Sequence, residues 1–245
     1  LQETLRYVAE HSPFYKKLFA EHAIDSDSVT TLEALQNLPC TTKDDLQHYN
    51  EAFYCVPKAK IIDYVTTSGT LGEPVIVGLT EKDLLRLSYN EAISLATSGI
   101  SGEDTVQLMT TLDRRFLLRL IAYAEDNSID ISETSVKAAI CIGEPIRDEN
   151  FKLNALGAKI SEAWDIALYS TYASTEMQTA FNECDASQGG HLHPELIIAE
   201  ILDEDNIPVP EGELGELVIT TLGIEAMPLV RFKTGDMLRA NTEGC

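Results

Sequence analysis

The chain has 245 residues, of which 44% are hydrophobic, enough to bury a core in one large domain or two small ones. Its 40 acidic and 18 basic residues give a formal net charge of −22, which argues against nucleic acid or an anionic membrane surface as a partner. No apolar run approaches the length of a membrane span, and residues 1–23 predict an amphipathic helix interrupted at Pro13 rather than a signal peptide. Five scattered cysteines indicate a reduced, cytoplasmic compartment.

The first part of the sequence alternates helical and extended patterns. Thr42-Lys43-Asp44-Asp45 predicts a capped helix start, and Thr80 predicts the cap of a helix over residues 81–98 with an apolar stripe. A strand, a helix, a strand, a long helix and a strand are then predicted over residues 106–109, 117–125, 138–142, 148–164 and 166–169. This order implies a mostly parallel sheet that is covered by helices.

The pattern changes after Glu176. Three extended runs, over residues 196–202, 216–221 and 229–232, are separated by acidic and proline-rich connections. They predict an antiparallel sheet or a small barrel. The predicted fold class is therefore α/β, with an α/β part over residues 1–176 and a mainly antiparallel β part over residues 177–245.

The stretch from Val65 to Pro74 is the most informative, because glycines and hydroxyl residues lie there between two apolar runs. Small residues let the backbone approach a bound group, and hydroxyls with successive N–H groups form an anion-binding nest. The stretch is not a P-loop, since no Gly-Lys-Ser/Thr follows and a strand rather than a helix is predicted next. A phosphate-binding loop and a solvated hairpin turn both fit this composition.

Two polar segments follow predicted strands, where open α/β sheets bind their ligands. The first is Gly143-Glu144-Pro145, for which an ordinary strand-to-helix turn is the alternative. The second runs from Tyr169 to Glu176, and a Ser/Thr-rich helix N-cap is the alternative. In this second segment Tyr172 is suited to stacking on a base and Thr175 to donating to a phosphate. Glu176 is suited to holding Mg²⁺, which prefers oxygen ligands.

The last polar segment is Arg231-Phe232-Lys233-Thr234-Gly235-Asp236. A carboxylate on a turn can accept both hydroxyls of a ribose, as acidic residues do in other nucleotide folds. Asp236 is therefore a candidate ribose ligand. The alternative is a Gly-Asp hairpin turn beside a solvated arginine and lysine.

Taken in order, these four segments resemble the motifs of the adenylate-forming superfamily, which includes acyl-CoA synthetases, peptide-synthetase adenylation domains and luciferases. Within this superfamily the series is most similar to the phenylacetate–coenzyme A ligases. The similarity extends to His11-Ser12-Pro13-Phe14-Tyr15, to residues 38–46 and to residues 208–218. It therefore covers nearly the whole chain.

The resemblance implies the large N-terminal domain of an enzyme that activates an aryl or arylacetic acid with MgATP, forms an acyl-adenylate and transfers the acyl group to coenzyme A. It implies that the β- and γ-phosphates are held by Thr67, Ser68, Gly69 and Thr70. The adenine slot would be formed by Gly143, Glu144 and Pro145, with Tyr172, Ala173 and Ser174 against the nucleotide. Thr175 would contact the α-phosphate, Glu176 would bind Mg²⁺ and Asp236 would hold the ribose.

The sequence departs from the family pattern in two places. Relatives continue into a smaller C-terminal domain with a lysine that serves adenylation, and no residue of this sequence takes that role by motif. Relatives also have an additional strand-helix stretch around the equivalent of Phe116, which contributes to the acid pocket. The comparison therefore suggests a gap at Phe116, a candidate substrate contact, and leaves the acid open.

The resemblance also suggests a structural zinc site. Cys184 and His191 lie on one predicted loop, and Cys245 stands where relatives commonly carry Cys-x-Cys-Gly. With one further cysteine these residues would form the closed tetrahedral Cys₃His set of structural zinc. His193 is the rival ligand, and a buried thiol near a surface histidine is the alternative reading.

Three functions remain open at this point. The first is ligation of an aryl acid to coenzyme A, the second is adenylation with a carrier protein or a cofactor as acceptor, and the third is a nucleotide-binding fragment without turnover. The expected partners are ATP, a small carboxylic acid and coenzyme A, with neither nucleic acid nor membrane. A homodimer is left open by the sequence.

Overall fold

The computed structural model describes residues 1–67, 74–109, 116–143, 145–241 and 245. The chain forms two compact units. Unit 1 contains Leu1–Asn90, Ser174–Thr179 and His193–Gly244, and unit 2 contains Glu91–Ala173, Ala180–Leu192 and Cys245. Across the described ranges, no helix combines the length and apolarity needed to span a bilayer. The predicted division after residue 176, into an α/β part and an antiparallel β part, does not coincide with the boundaries of these units. It stays a prediction about domains.

Two helices open unit 1, α1 (Gln2–His11) and α2 (Pro13–Glu21), so the predicted break at Pro13 is confirmed. Ser12 caps α2, because its side-chain oxygen accepts a hydrogen bond from the Tyr15 backbone N–H. Proline fits the first helical position, where no intrahelical donor is required. The buried faces of these helices contribute Leu5, Val8, Tyr15 and Phe19 to the core.

Three short helices follow, α3 (Leu32–Leu35), α4 (Lys43–His48) and α5 (Asn50–Phe53). The capping box predicted for α4 is confirmed. Thr42 Oγ1 accepts from the Asp45 N–H at 3.2 Å, and an Asp45 carboxylate oxygen accepts from the Thr42 N–H at 2.9 Å. Such a reciprocal pair satisfies two donors that a helix start otherwise leaves without partners.

The long helix α6 (Glu81–Thr97) begins at the predicted cap, since Thr80 and Asp83 exchange hydrogen bonds. Its buried face, however, is polar. The buried positions are Asp83, Arg86, Asn90, Ser94 and, just after the helix, Ser98, whereas Leu85 is 67% exposed. The prediction that an apolar stripe forms the buried face of α6 is therefore wrong. Polar side chains are buried there because they hydrogen-bond to main-chain groups of neighbouring segments, as buried polar groups must.

Unit 1 contains two sets of antiparallel strands. Strands β1 (Asp63–Thr66) and β2 (Ile76–Leu79) pair as a hairpin, which confirms that a strand follows the glycine-rich loop. Unit 2 supplies the next three strands in chain order, β3 (Ala138–Ile142), β4 (Ala167–Ser174) and β5 (Thr179–Asn182), the last two with their ends in unit 1. Unit 1 then forms the antiparallel sheet of β6 (Ile197–Leu202), β7 (Gly215–Thr221) and β8 (Phe232–Leu238). The predicted antiparallel sheet is confirmed, but the run predicted over residues 229–232 is wrong, because the third strand begins only at Phe232.

The sheet of unit 2 has the order β3-β4-β5, and β3 pairs with β4 in parallel. Helices α7 (Phe116–Asp126) and α8 (Ala155–Ala163) cover it through a small apolar core of Ile121, Ile146, Ile160 and Leu168. The mixed α/β class is confirmed. The prediction of a mostly parallel sheet is confirmed only for β3 and β4, since β1 with β2, β6 with β7 and β7 with β8 pair antiparallel.

Two predicted elements of unit 2 are wrong. Residues 106–109 form no strand and are exposed. The helix predicted over residues 148–164 begins only at Ala155, with Asn154 as its cap. The reason is local: the Asp148 carboxylate accepts hydrogen bonds from two following N–H groups, and Phe151 has a φ of 60°, so the chain turns before the helix begins.

Candidate functional site

The candidate metal ligand Glu176 lies on the turn between β4 and β5, in unit 1. It is only 6% exposed, and its Oε1 lies 3.5 Å from the Lys43 ammonium nitrogen. No helix follows this turn, so the helix N-cap alternative is wrong. Ser174 Oγ, at the end of β4, accepts from the Met177 N–H at 3.3 Å and helps to close the turn. Glu176 is thus a largely buried carboxylate with a defined cation partner.

The sequence motifs predict no role for Lys43, which lies in the capping segment Thr42-Lys43-Asp44-Asp45. Lys43 is the first residue of α4, where a positive charge is disfavoured by the helix dipole. A lysine at the start of a predicted helix is therefore a feature of the sequence that could have marked this residue. In the structure its charge is paired with the Glu176 carboxylate.

The candidate phosphate loop is closed at its base by Thr67. Thr67 is 8% exposed, its Oγ1 accepts from the Val75 N–H at 3.0 Å, and its own N–H donates to the Val75 carbonyl at 3.0 Å. Strands β1 and β2 on either side of this segment pair antiparallel. The phosphate-binding reading stays a prediction. Ser68, Gly69 and Thr70 lie outside the described residues.

Unit 2 carries the candidate adenine residues. Gly143 follows β3 with a φ of 85°, a conformation that strongly favours glycine, and both it and Pro145 are exposed. Glu144 lies outside the described residues. The half-buried Tyr172 is on β4, with its ring centroid 5.8 Å from that of Phe181 at an interplanar angle of 47°. Ala173, the next residue of β4, is also half-buried.

The candidate ribose ligand Asp236 is exposed in unit 1, within β8 rather than on a hairpin turn. The pairing of β7 with β8 is interrupted by a bulge, and the Asp236 N–H donates to Thr234 Oγ1 at 3.1 Å. The reading of Arg231 as solvated is wrong. Its guanidinium forms two hydrogen bonds to the Glu200 carboxylate, at 3.1 and 3.0 Å, and only 2% of its side chain is exposed.

The three candidate zinc ligands lie together in unit 2. The ligand atoms of Cys184, His191 and Cys245 all lie within 4.8 Å of one another, and Cys245 Sγ is 3.4 Å from His191 Nε2. Tetrahedral zinc, with bonds of about 2.3 Å to sulfur and about 2.1 Å to nitrogen, requires ligand atoms roughly 3.5–4 Å apart. The 3.4 Å between Cys245 Sγ and His191 Nε2 is close to this spacing, and three such ligands would leave one tetrahedral position for a fourth. His193 is not in this cluster.

Local structure explains how His191 reaches Cys184. The His191 N–H donates to the Asn182 carbonyl at 2.9 Å, so the loop returns alongside β5. A Cβ at Gly190 would lie 2.5 Å from the Phe181 carbonyl oxygen, and only glycine permits this approach. A hydrogen bond with the Cys184 thiol raises the pKa of Cys245. Zinc binding at this cluster would therefore release protons.

The remaining candidates are placed as follows. Phe116 is the first residue of α7 and is half-buried, and residues 110–115 before it lie outside the described residues. The candidate residues are divided between the units. Unit 1 holds Thr67, Ser174, Thr175, Glu176 and Asp236, and unit 2 holds Gly143, Pro145, Tyr172, Ala173, Cys184, His191 and Cys245.

Sequence comparison identifies the relatives of the chain. It is 28% identical to a phenylacetate–coenzyme A ligase of Thermus thermophilus over 295 positions, which cover 100% of this chain and 65% of the relative. The corresponding ligase of Pseudomonas putida is 26% identical, with 98% of this chain and 64% of the relative covered. Along nearly its whole length this chain is similar to phenylacetate–coenzyme A ligases. No protein-family model matches it.

The Thermus ligase has residues outside the matched region and also residues within it that this chain lacks. This chain spans 65% of the length of the Thermus ligase. The alignment also has 295 positions for 245 residues, so the phenylacetate–coenzyme A ligase carries residues that have no counterpart here. This agrees with a gap in the chain and does not locate it at Phe116.

Solved structures support the fold. A 2-hydroxyisobutyryl-CoA ligase in complex with 2-HIB-AMP has a TM-score of 0.84 at 20% identity, with 97% of this chain and 61% of that chain covered. An O-succinylbenzoate–coenzyme A synthetase of Bacillus subtilis, in complex with ATP and a magnesium ion, has a TM-score of 0.50 at 15% identity, with 74% and 48% covered. At these identities the likeness is one of fold. The predicted α/β fold is confirmed, and it is shared with these coenzyme A ligases.

Proposed function

We propose that this chain is the large nucleotide-binding part of an acid–thiol ligase that forms AMP. A carboxylate oxygen of an aryl or arylacetic acid would attack the α-phosphorus of ATP and displace pyrophosphate. The thiol sulfur of coenzyme A would then attack the acyl carbon, with loss of AMP and of the thiol proton. The observation that carries this proposal is the similarity to phenylacetate–coenzyme A ligases along the whole chain.

Glu176 would bind the magnesium ion in unit 1. It offers carboxylate oxygens, the donor type that Mg²⁺ prefers, and it is held at a fixed place by its burial and by the ion pair with Lys43. Bound Mg²⁺ would neutralise charge that develops on the phosphates during attack. The hydroxyl group of Thr175, the preceding residue, would donate a hydrogen bond to an oxygen of the α-phosphate.

The net charge makes such local groups necessary. A chain with a formal charge of −22 does not attract an anionic nucleotide over long distances. Thr67 would support the β- and γ-phosphates by fixing the base of the loop that contains Ser68, Gly69 and Thr70. Asp236 would accept from the ribose hydroxyls.

Unit 2 would supply the surroundings of the adenine. Gly143, Glu144 and Pro145 follow a strand of a parallel pair, at the carboxyl end where ligands of such sheets bind. Tyr172 and Ala173 would lie against the nucleotide, with Ser174 after them. The Phe181 ring beside Tyr172 would restrict the orientation of the tyrosine side chain.

The decisive experiment is ATP–pyrophosphate exchange by the purified protein with a panel of carboxylic acids. We expect exchange that depends on an aryl or arylacetic acid and on Mg²⁺. Thioester formation with coenzyme A would then identify the acceptor, and exchange without thioester would favour a carrier protein or cofactor. Absence of exchange with every acid, despite binding of ATP, would favour a nucleotide-binding protein without turnover.

We also propose that Cys184, His191 and Cys245 bind a structural zinc ion. The support is their mutual distance of at most 4.8 Å and the match of their donor atoms to zinc. We expect about one zinc per chain by elemental analysis, and loss of zinc in Cys184→Ser and His191→Ala. His193→Ala is the matched control and should retain the metal. Zinc-free fresh protein, or equal zinc loss in both histidine variants, would contradict the site.

A further inference from the structure

Gln178 has a buried side chain whose polar atoms lack hydrogen-bond partners among the described residues. Within the part of the chain that the structure describes, the amide nitrogen and oxygen of Gln178 are the buried side-chain polar atoms that lack a partner. The residue is 6% exposed. Leaving a buried amide unpaired costs about 1–3 kcal/mol, so such a group in a native protein calls for an explanation.

The main chain of Gln178 is also unusual. Its φ is 49°, in the left-handed region that residues other than glycine, asparagine and aspartate rarely adopt. Such a conformation persists only where surrounding contacts impose it, and it is concentrated at functional sites. A strained backbone and an unpaired amide thus coincide at one residue.

The Gln178 carbonyl is bound by Arg86, on the polar face of α6. Its guanidinium donates to the Gln178 carbonyl at 2.6 Å and to Thr179 Oγ1 at 3.1 Å. It also donates to the carbonyls of Leu196 and Leu222, both at 2.6 Å. Four segments of unit 1 are therefore joined through one buried cation, and the turn that carries Gln178 is held rigidly.

The position of Gln178 suggests what its amide binds. It is two residues after Glu176, so the two Cα atoms are at most about 7.6 Å apart. In the proposed reaction the acid carboxylate must reach the α-phosphate beside the metal that Glu176 would hold. An acid held in this way would have its remaining atoms close to this turn. The amide offers two donors and one acceptor, which a hydroxyl group can satisfy from both sides.

We propose that the Gln178 amide recognises a hydroxyl group on the acid, so that the substrate is a hydroxylated aryl or arylacetic acid. This inference rests on the proposed ligase function. A buried site built to bind a substrate hydroxyl discriminates strongly against the analogue without it, because its polar atoms are then left unpaired. Gln178 is then the residue that determines specificity, and Arg86 is a positioning residue for it.

Gln178→Met tests the proposal, because methionine has nearly the same shape and lacks the amide. Acid-dependent ATP–pyrophosphate exchange is measured with phenylacetate, 4-hydroxyphenylacetate and mandelate, and thermal unfolding is measured without ligand. We expect the parent protein to favour one hydroxylated acid at least tenfold in kcat/KM. Gln178→Met should abolish that preference, leave the KM for ATP unchanged and raise the melting temperature. The exposed Gln36→Met is the matched control and should behave like the parent.

Each other outcome is decisive. A lower melting temperature of Gln178→Met would mean that the amide serves folding, for example through a buried water, and would overturn the proposal. An unchanged preference among acids would overturn it as well, as would a change confined to the KM for ATP. Exchange with no acid in either the parent or Gln36→Met would instead refute the proposed function, and this inference with it.

Discussion

Each unit contains an arginine–glutamate ion pair, but the two pairs differ in how far they are buried. In unit 1, Arg231 pairs with Glu200, their side chains are 2% and 8% exposed, and strand β7 beside them is almost entirely buried. In unit 2, Arg147 pairs with Glu183 at 2.9 Å, but the arginine is 13% exposed and β3 leaves Ile142 67% exposed. A buried ion pair costs most to break where no water can replace the lost partner. Its energetic importance therefore depends on the packing around it.

Arg231→Met gives the largest expected effect on stability. It removes the partner of a buried carboxylate and the donors to the carbonyls of Gln36 and Leu38. We expect the free energy of unfolding to fall by about 3–5 kcal/mol. Urea unfolding measures the loss, and hydrogen exchange in β6 and β7 assigns it to unit 1. Arg231→Lys, which keeps the charge, should lose less. A loss below 1 kcal/mol would break the comparison.

Glu176→Gln separates chemistry from stability within unit 1. The substitution removes a charged ligand while it retains the shape of the side chain. We expect acid-dependent pyrophosphate exchange to fall by about 10²–10³, which is about 2.7–4 kcal/mol of transition-state stabilisation. The melting temperature should change little, because only one ion pair, with a half-exposed lysine, is lost. The exposed Glu204→Gln is the control. An unchanged exchange rate would remove Glu176 from the mechanism.

Arg147→Met is the direct counterpart of the Arg231 variant in unit 2. Arg147 also donates to the Leu168 carbonyl and to Ser187 Oγ, but its greater exposure lets water reach some of these acceptors. We expect a loss of about 1–3 kcal/mol, detected by urea unfolding and by faster hydrogen exchange in β4. A loss equal to that of Arg231→Met would show that the packing difference is irrelevant to the ion pairs.

The smallest expected effect is on how the free energy of unfolding of unit 1 depends on pH above 9. Burial, with a smaller contribution from Asp83, raises the pKa of Cys55 from 9.0 to about 12. The unfolded chain therefore releases this proton first as the pH rises. Stability is fully present below pH 9 and falls by about 1.4 kcal/mol per pH unit until the folded pKa is reached. Cys55→Ala should make unfolding less dependent on pH between 9 and 11, as chemical denaturation can measure. An unaltered slope would show that Cys55 does not contribute.

Local signals in the sequence determined much of the fold. The capping box of Thr42 and Asp45, the cap at Thr80, the break at Pro13 and strand β3 all involve residues close together in the chain. These caps, the break and the strand depend on a few neighbouring side chains and on the period of the hydrophobic pattern, so they can be read before the fold is known. The three thiol and imidazole groups that the structure brings together were instead suggested by the resemblance to known ligases.

Tertiary structure decided the buried charges. The polar face of α6 is buried, and Arg231 is not solvated, because carbonyls and carboxylates from distant segments accept their hydrogen bonds. Asp236 became part of a strand because β7 pairs with its neighbours in the chain. The Gln178 carbonyl likewise accepts its hydrogen bond from Arg86, 92 positions earlier in the sequence. A polar side chain is buried only where partners meet it, and their position is a property of the folded chain.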